Sequence, residues 1–282
     1  MKSRHLLHPK LVERLAFGGL WAAAVVVIAP VFGIIAYMFY RGLDALNPEM
    51  FQIGTKGLVP AIVGTTALVL LTALIAAPVG VAAAIYLSEY AGRGPLVRAI
   101  RLALVNLAGV PSVVYGLFGL ALFVMLFQLG RCLLAGACTL ALLVLPLVIS
   151  AAEEALRQVP HSLRQASWGI GATRWQTIRR IVLPNAMPGI ITALILSIGR
   201  AAGETAPILF TAAFYSLSKP FPTSLSDSIL VLPYQLYVMA TEDPHATEEQ
   251  KWATAFILVV LVVALNIAAI AIRARLRRRQ RW

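Results

Sequence analysis

The sequence predicts an all-α polytopic membrane protein with six transmembrane helices and both termini in the cytoplasm. Hydrophobic residues make up 60% of the 282 residues, charged residues make up only 13%, and the mean hydropathy is +0.82. A soluble domain is about 45–50% apolar, so this chain has too little polar surface for a soluble fold. Six apolar runs reach the roughly 20 residues that a transmembrane helix needs, at about 17–40, 60–87, 102–128, 133–152, 186–214 and 252–272.

The basic residues predict how these runs are oriented. Eighteen lysines and arginines lie in the N-terminal tail, in the segments after the second and fourth runs, and in the C-terminal tail. Only five lie in the remaining connections, and Arg200 lies within the fifth run. By the positive-inside rule both termini are cytoplasmic. We therefore divide the chain into a cytoplasmic tail at 1–16, a transmembrane domain at 17–272 and a basic cytoplasmic tail at 273–282.

The net charge is +12, and the same distribution indicates that the basic residues interact with membrane lipid and not with nucleic acid. Basic residues at the ends of apolar runs orient helices and do not form a phosphate-binding stripe.

The first run exceeds a signal-peptide core, so we expect it to be retained as a span. Prolines interrupt several runs, which favours a bundle with an internal pathway. Cys132 and Cys138 are expected to be small apolar residues of a span, and the histidines lack metal-ligand spacing.

The largest outward segment, about 215–251, combines four prolines with five acidic residues. Within it, the stretch from Asp227 to Met239 predicts a short interfacial helix with Tyr234 and Tyr237 as aromatic anchors. Two interpretations remain open for this segment. It is either a solvated loop with a helix on the membrane surface, or a docking surface for an extracytoplasmic partner.

A polar and basic elbow at about 153–185 separates the fourth and fifth runs on the cytoplasmic side. Ser162 and Thr173 are each followed three residues later by a glutamine, which is the spacing of a capping box at a helix start. Gly169 and Gly171 fit a sharp turn between the two helices that these boxes predict.

We expect Pro184 and Pro188 to end the second of these helices before the fifth span begins. Helices this short are marginal alone in water, so their apolar residues need a surface to pack against. That surface is either a cytosolic partner protein or the inner face of the membrane. The apolar residues concerned are Trp168, Ile170, Trp175 and Ile178.

The elbow resembles the EAA loop of ABC importer permeases, whose pattern is EAA, three residues, Gly, nine residues and I-x-L-P. Here Gln165 replaces the glutamate and Ser167 replaces the second alanine. The resemblance implies coupling helices that insert into a cleft of an ATPase subunit and carry its motion to the spans. The coupling residues that it implies are Gln165, Ala166, Ser167, Gly171, Thr173, Arg174, Trp175, Ile181, Leu183 and Pro184.

Three further segments are similar to the phosphate-specific members of that family, the PstA-type permeases. Ser197 to Pro207 resembles their G-R-A-x-G-E-T-A-P segment, and the segments 111–119 and 78–90 are also similar. The resemblance implies the ABC type I importer permease fold in the bacterial cytoplasmic (inner) membrane. It also implies a function in ATP-driven import of inorganic phosphate.

The resemblance further implies a set of partner subunits. These are a second homologous permease (PstC-type), two cytosolic ATPase subunits (PstB-type) and an extracytoplasmic phosphate-binding protein (PstS-type). The sequence contains no G-x-x-x-x-G-K-[ST] phosphate loop. We therefore expect a transport subunit that is not itself an enzyme and holds no cofactor or metal, with ATP and Mg bound by the partner ATPase.

Arg200 and Glu204 stand four residues apart in the fifth run, which places them on one face of a helix. An arginine near the bilayer centre costs about 2.5–3.5 kcal/mol on insertion scales, so such residues usually face a bundle interior. The pair either neutralises itself to fix packing, or lines a pathway in which Arg200 contacts phosphate oxygens. Thr205 and Ser197 could add hydroxyl donors, although such hydroxyls more often bond to their own backbone.

Three alternatives remain at this stage. The first is a permease for another oxyanion, such as sulfate or molybdate, against which the segment from Gly199 to Pro207 argues without excluding it. A channel or ion-coupled carrier working alone would show inverted repeats with intramembrane acids, and would leave the elbow unexplained. A membrane enzyme is the least supported, because the spans contain no nucleophile, metal or paired-acid constellation.

Overall fold

The computed structural model describes residues 9–51, 57–92, 94–215 and 219–278, and within these ranges the chain is mostly helical. Short π-helical turns at Tyr86–Tyr90, Leu120–Leu126 and Ile178–Val182 interrupt or extend the α-helices. The helices are α1 (Pro9–Asp44), α2 (Leu58–Ile85), α3 (Pro95–Ala108), α4 (Ser112–Gly119), α5 (Leu133–Arg157), α6 (His161–Gly169), α7 (Arg174–Thr177), α8 (Leu183–Gly203), α9 (Ala206–Thr211), α10 (Leu232–Thr241) and α11 (Glu248–Arg278).

Five stretches are long and apolar enough to cross a membrane by length and composition. A sixth span is possible if the bent pair α3–α4 is counted as one, which agrees with the six runs predicted from the sequence. The five stretches are Ala16–Asp44, Leu58–Tyr90, Leu133–Arg157, Arg174–Gly203 and Glu248–Arg275.

Helix α5 is the centre of the bundle. In its most apolar 18-residue stretch 67% of the residues are buried, whereas in the corresponding stretch of α1 none is. It packs between α2 and α8 around large buried side chains such as Leu68, Leu140 and Val144. Small residues bring the helices close together: a Cβ added at Gly80 of α2 would lie 2.6 Å from Val148 of α5. Close backbone approach of this kind replaces the hydrophobic driving force that helices lack in lipid.

Helices α1 and α11 lie at the periphery and pack on each other through aromatic rings. Tyr37 and Trp252 meet edge to face with centroids 5.4 Å apart, and Phe39 and Phe256 do the same at 5.0 Å. Most other apolar side chains of α1 remain exposed on this chain, which suits a helix surrounded by lipid.

The third predicted span, 102–128, is not one straight helix. The axis turns by 102° between α3 and Ser112–Leu126. Pro111 stands at this corner as the N-cap of α4 and cannot donate the backbone hydrogen bond that would continue α3. No residue of α3 is buried, whereas α4 packs on α5 and α9.

The outward segment also differs from its prediction. The expected interfacial helix from Asp227 is instead an extended, buried strand of chain at 229–231, followed by α10. Leu230 and Leu232 are at most 1% exposed, and the Leu232 amide donates to the Thr65 hydroxyl of α2 at 2.9 Å. The chain at 229–231 and the start of α10 therefore pack into the bundle, and the predicted aromatic residues Tyr234 and Tyr237 both lie on this short helix.

The same segment completes the N-terminus of α5, whose first amides have no partner within the helix. The amides of Cys132, Leu133 and Leu134 donate to the carbonyls of Thr211, Asp227 and Leu225, at 2.9–3.1 Å. The backbone amide of Thr223, its hydroxyl and the amide of Ser224 all donate to the Asp227 carboxylate, and these bonds lower its pKa. The loop and the central helix thus stabilise each other.

We expect the contact between this segment and α2 to be sensitive to a single methyl group. A Cβ added at Gly64 would overlap the carbonyl oxygen of Leu230, whereas one at Gly33 of α1 would meet nothing within 4 Å among the described residues. Gly64→Ala should therefore destabilise the protein by about 1–3 kcal/mol, as overpacking does. The measurement is the thermal unfolding midpoint in detergent.

Gly33→Ala is the matched control and should leave the midpoint unchanged or raise it, because alanine is the better helix former. Helix propensity alone predicts that both variants are stabilised. A rise in the midpoint of Gly64→Ala would therefore contradict the close approach of Leu230.

Candidate functional site

The elbow consists of α6, a turn, and α7, which runs on through the π-helical turn at Ile178–Val182 into α8. The predicted capping box at Thr173 is confirmed: its amide donates to the Gln176 side chain at 2.8 Å, and the Gln176 amide donates to its hydroxyl at 3.3 Å. The box predicted at Ser162 is wrong, because α6 begins at His161 after Pro160 and has no side-chain cap.

The turn between the two helices depends on Gly171, whose φ of +82° is in the left-handed region that glycine tolerates best. Gly169 is the last residue of α6 and has no such conformation. The expectation that Pro184 and Pro188 end the second elbow helix is also wrong, since both lie within α8. Pro184 sits in the first turn of α8, directly after the π-helical turn, where a missing backbone N–H is tolerated.

The predicted coupling residues divide into two groups. Ser167 is buried, and its hydroxyl lies 2.9 Å from that of Thr177, so it joins α6 to α7. Ile181, Leu183 and Pro184 are half-buried at the start of the fifth span. The remaining predicted residues lie exposed on α6, the turn and α7, namely Gln165, Ala166, Gly171, Thr173, Arg174 and Trp175.

The exposed side of the elbow is unusually apolar for a cytoplasmic surface. Trp168 is 48% exposed, Trp175 55% and Ile170 86%. Contiguous exposed apolar side chains of this kind mark an interaction surface. This agrees with the expectation that the elbow packs against another surface. Ile178 is an exception to that expectation, because it is 1% exposed and is already buried within this chain.

Arg164 of α6 fastens the elbow to the bundle. Its guanidinium is only 6% exposed and donates to the Glu89 carboxylate at 2.8 Å. It also donates to the carbonyls of Leu156 and Val159 at the C-terminal end of α5. A cation there is favoured by the negative end of the α5 dipole. The elbow is thus tied to the cytoplasmic ends of both α2 and α5.

A second buried carboxylate, Glu153 of α5, joins α3 to the same region. Arg101 of α3 donates to it at 3.0 Å, and Arg157 donates at 2.7 Å. Arg101 also donates to the carbonyl of Leu87 at the end of α2. These two long-range pairs could not be predicted from the sequence, because Glu89 is 75 residues from Arg164 and Glu153 is 52 residues from Arg101.

The second candidate region is the outward end of α8. Arg200 occupies its last turn, about 26 Å along the helix axis from Leu183. It therefore lies near the outward end of α8. Its Nε lies 3.5 Å from a Glu204 carboxylate oxygen, with side-chain exposures of 39% for Arg200 and 16% for Glu204.

Glu204 differs from its prediction in one respect: it is the C-cap of α8 with extended backbone (ψ 135°), not a residue within the helix. The span breaks here because Pro207 cannot donate a hydrogen bond to the preceding turn. The chain resumes as α9, and a Cβ at Gly116 of α4 would lie 2.9 Å from Pro207. The non-helical backbone at Glu204 and Thr205 therefore follows Arg200 closely in the chain, and α4 packs against the start of α9 just after it.

Thr205 is the half-buried N-cap of α9 and follows Glu204 directly, so it lies at the same break. Ser197 does not join this group. It is 3% exposed, and its hydroxyl donates to the Ala193 carbonyl at 2.8 Å. It faces a small cavity shared with Thr72 of α2. The role of Ser197 in the pathway therefore stays a prediction, and its hydroxyl is bonded to its own helix backbone.

No group of three or more potential metal ligands occurs among the described residues. Cys132 and Cys138 are both free thiols. Cys132 is the N-cap of α5, where its sulfur accepts from the Ala135 amide at 3.4 Å. It therefore has a structural role that its expected place within a span did not predict.

Comparison with known proteins identifies the family. The model of the binding-protein-dependent transport system inner membrane components matches residues 76–282. The chain belongs to this family. It is 39% identical over 241 residues to the phosphate transport system permease protein PstA 1 of Mycobacterium tuberculosis, covering 86% of this chain and 76% of that one. It is 34% identical to PstA of Pasteurella multocida, with 84% and 85% covered.

Solved structures of ABC importers share the fold of this permease. A bacterial ABC transporter for the acidic polysaccharide alginate aligns with a TM-score of 0.68 at 16% identity, covering 94% of this chain and 99% of that one. An inward-facing MetNI methionine transporter aligns with a TM-score of 0.65 at 17% identity, with 82% and 99% covered. The predicted ABC type I importer permease fold is confirmed.

Family membership settles three further points. The chain is an inner membrane component, as predicted. It is a permease subunit without an ATPase site of its own, because in ABC importers the ATPase is a separate subunit. Permeases of this family work with an ATPase and a substrate-binding protein, so a channel or carrier working alone is excluded.

The permease should depend on the buried pair formed by Arg164 and Glu89. Replacing Arg164 with methionine leaves Glu89 buried without a counter-ion, which typically costs about 3–5 kcal/mol. We expect a correspondingly lower thermal unfolding midpoint in detergent.

Arg157→Met is the matched control. Its side chain is 48% exposed and its partner Glu153 keeps Arg101. Loss of such an exposed pair should cost at most about 1 kcal/mol. Equal effects of the two substitutions would show that Arg164 is not the anchor of the elbow.

Proposed function

We propose that this permease is one of two homologous membrane subunits of an ATP-driven importer of inorganic phosphate. The observation that carries the proposal is its similarity to several permeases named for phosphate transport, at 34–39% identity over most of the chain. The second membrane subunit is a PstC-type permease, and a PstS-type binding protein delivers phosphate from outside. Two PstB-type ATPase subunits bind ATP and Mg in the cytosol.

The chemistry of Arg200 supports an anionic substrate. Its guanidinium offers a planar set of donors that matches phosphate oxygens. Glu204 and the C-terminal dipole of α8 compensate its charge, so an anion is attracted without being held too tightly to leave. A conduit needs this balance, because a site that binds too strongly stops transport.

Thr205 stands beside this pair at the break between α8 and α9 and adds a hydroxyl to the same region. Broken helices at membrane depth are tolerated where they line a cavity or are buried in protein. We infer that the break faces the pathway that forms between the two permease subunits.

The elbow supplies the coupling step. Its exposed apolar surface inserts into the ATPase, and Arg164 carries the displacement of α6 to α2 and α5. Since α2 and α5 form the core of the bundle, movement of the elbow shifts the spans together. The missing acid at Gln165 removes one charged contact but leaves the helix–turn–helix geometry in place.

Phosphate uptake by whole cells tests the function directly. Cells lacking this chain and other phosphate carriers, but containing the partner subunits, should regain uptake of labelled phosphate when the chain is restored. Excess sulfate should not compete. Uptake abolished by sulfate would replace the proposal with a broader oxyanion permease, and absence of restored uptake would contradict phosphate import.

Arg200 is the residue whose replacement should affect transport most. Charge-assisted hydrogen bonds contribute about 1.5–3 kcal/mol, so Arg200→Ala should lower phosphate uptake roughly tenfold to a hundredfold. Arg200→Lys should retain part of the activity, because it keeps the charge but loses the fork. Glu204→Gln should also slow uptake, because the uncompensated cation releases phosphate more slowly.

Lys219→Ala, which removes an exposed positive charge from the outward loop, is the control and should transport normally. All variants are compared at equal abundance in the membrane. Normal uptake by both Arg200→Ala and Glu204→Gln would place the pair outside the pathway and leave it a packing role.

The elbow turn offers a second test, of coupling. A β-branched residue at the left-handed position of Gly171 is strained by roughly 1–2 kcal/mol, so Gly171→Val should distort the elbow. We expect less ATPase subunit to co-purify with the permease, and uptake to fall in parallel. Gly169→Ala is the control, since that residue is helical and has open space around it. Equal recovery of ATPase with both variants would contradict docking at this turn.

A further inference from the structure

A cavity of about 640 Å³ lies between the elbow and the cytoplasmic ends of α2, α3 and α5. It is separate from the Arg200 region at the other end of α8. Its lining is dominated by basic side chains, five arginines and one histidine, with Glu89 as its acidic member. The arginines are Arg98, Arg101, Arg157, Arg164 and Arg174.

The positive charge of this cavity exceeds its negative charge. Glu89 pairs with Arg164, while Glu153 behind the wall pairs with both Arg101 and Arg157. Arg98 and Arg174 make no ion pair with a carboxylate among the described residues. Five cations therefore face two carboxylates, which leaves three positive charges unbalanced.

The two unpaired arginines approach the cavity from different elements. Arg98 lies near the start of α3, and Arg174 opens α7 with its guanidinium 5.3 Å from the centre of the Tyr90 ring. Stacking on Tyr90 orients a guanidinium while leaving its N–H groups free to donate. Both residues line the same cavity, and both have N–H donors available to an anion bound in it.

The backbone adds to the same preference. Gly94, the N-cap of α3, and His161, the first residue of α6, both line the cavity, and neither helix has a side-chain cap. The first amides of a helix lack partners within it and favour negative charge. Five arginine side chains and two residues at helix starts thus line one partly enclosed volume, whose low-dielectric walls strengthen the field.

We propose that this cavity binds a phosphate group on the cytoplasmic side of the membrane. Its volume is within the range of about 300–1,000 Å³ typical of small-molecule sites, so it accepts a phosphate that carries an organic substituent. Two sources have this chemistry: a soluble phosphate compound of the cytosol and the headgroup of an anionic phospholipid. A bound phosphate joins α3 to α7, and so braces the elbow against the bundle.

The inference does not depend on phosphate being the transported substrate. It rests on residues at the cytoplasmic end, and its test measures binding. It requires only that the cavity stays accessible when the ATPase is docked. The experiment therefore uses the whole transporter.

The test compares the complete complex in lipid nanodiscs with the double variant Arg98→Gln/Arg174→Gln. Both residues are exposed and lack carboxylate partners among the described residues, so their loss should not unfold the protein. Because Arg174 is also a predicted coupling residue, all complexes are compared at equal content of the ATPase subunit. Arg179→Gln/Arg180→Gln is the matched control: it removes two exposed arginines of the same elbow that lie outside the cavity.

One arm measures binding of labelled inorganic phosphate in nanodiscs of zwitterionic lipid. The other counts phosphatidylglycerol retained by the complex in native mass spectrometry. Each arginine near an anionic group contributes about 1 kcal/mol to binding. The double variant Arg98→Gln/Arg174→Gln, the cavity variant, should therefore bind phosphate or phosphatidylglycerol roughly 30-fold more weakly than the control in at least one arm. Loss in the phosphate arm identifies a soluble ligand, and loss in the lipid arm identifies a headgroup.

Equal binding by the cavity variant and the control in both arms would overturn the proposal. The same holds if the complete complex binds neither probe, which would mean that the docked ATPase fills the cavity. Each result is independent of uptake, so failure here leaves the proposed transport function intact.

Discussion

Arg164 places a positive charge inside the cytoplasmic end of the bundle, and the geometry of the elbow depends on the partners of that charge. Removing an ion from water costs several kcal/mol, and this cost is offset only where every donor finds a partner. Here the Glu89 carboxylate and two carbonyls at the end of α5 provide those partners. Because α6 is too short to be stable alone, its position follows from this anchor.

The anchor has a mechanical consequence. A displacement applied to the exposed face of α6 is transmitted to α2 through Glu89 and to α5 through its last carbonyls. Helix α7 is continuous with the fifth span through a π-helical turn, so the same displacement reaches α8 directly. All three central helices are therefore connected to the elbow by hydrogen bonds or by the chain itself. This is the arrangement that a subunit driven by an external ATPase requires.

The two arginine regions differ in how their charge is balanced. Arg200 has one carboxylate and one helix C-terminus for one cation, so its attraction for an anion is weak enough for passage. The cavity beneath the elbow has a surplus of positive charge and lies beside no break in a span. Its charge is suited to retaining an anion, whereas the balance at Arg200 is suited to releasing one. The proposed conduit and the proposed binding site thus lie at opposite ends of α8.

The sequence by itself predicted the number of apolar runs, their orientation, the position of the elbow and the ion pair of Arg200 with Glu204. These properties depend on local composition: the length of an apolar run, the side that carries lysine and arginine, and residues four positions apart. The capping box at Thr173 and the left-handed turn at Gly171 are local in the same sense. Each could be predicted because no distant residue takes part.

Only the tertiary structure decided the rest. Apolar composition is the same for a straight span, for the bend at Pro111 and for the buried stretch at 229–231, so hydropathy could not separate them. The pairing of Arg164 with Glu89 joins residues 75 positions apart, and nothing in their neighbourhoods specifies it. The side of α8 that Ser197 faces depends on where α2 and α5 pack. These features follow from contacts between distant segments, which form only when the helices assemble.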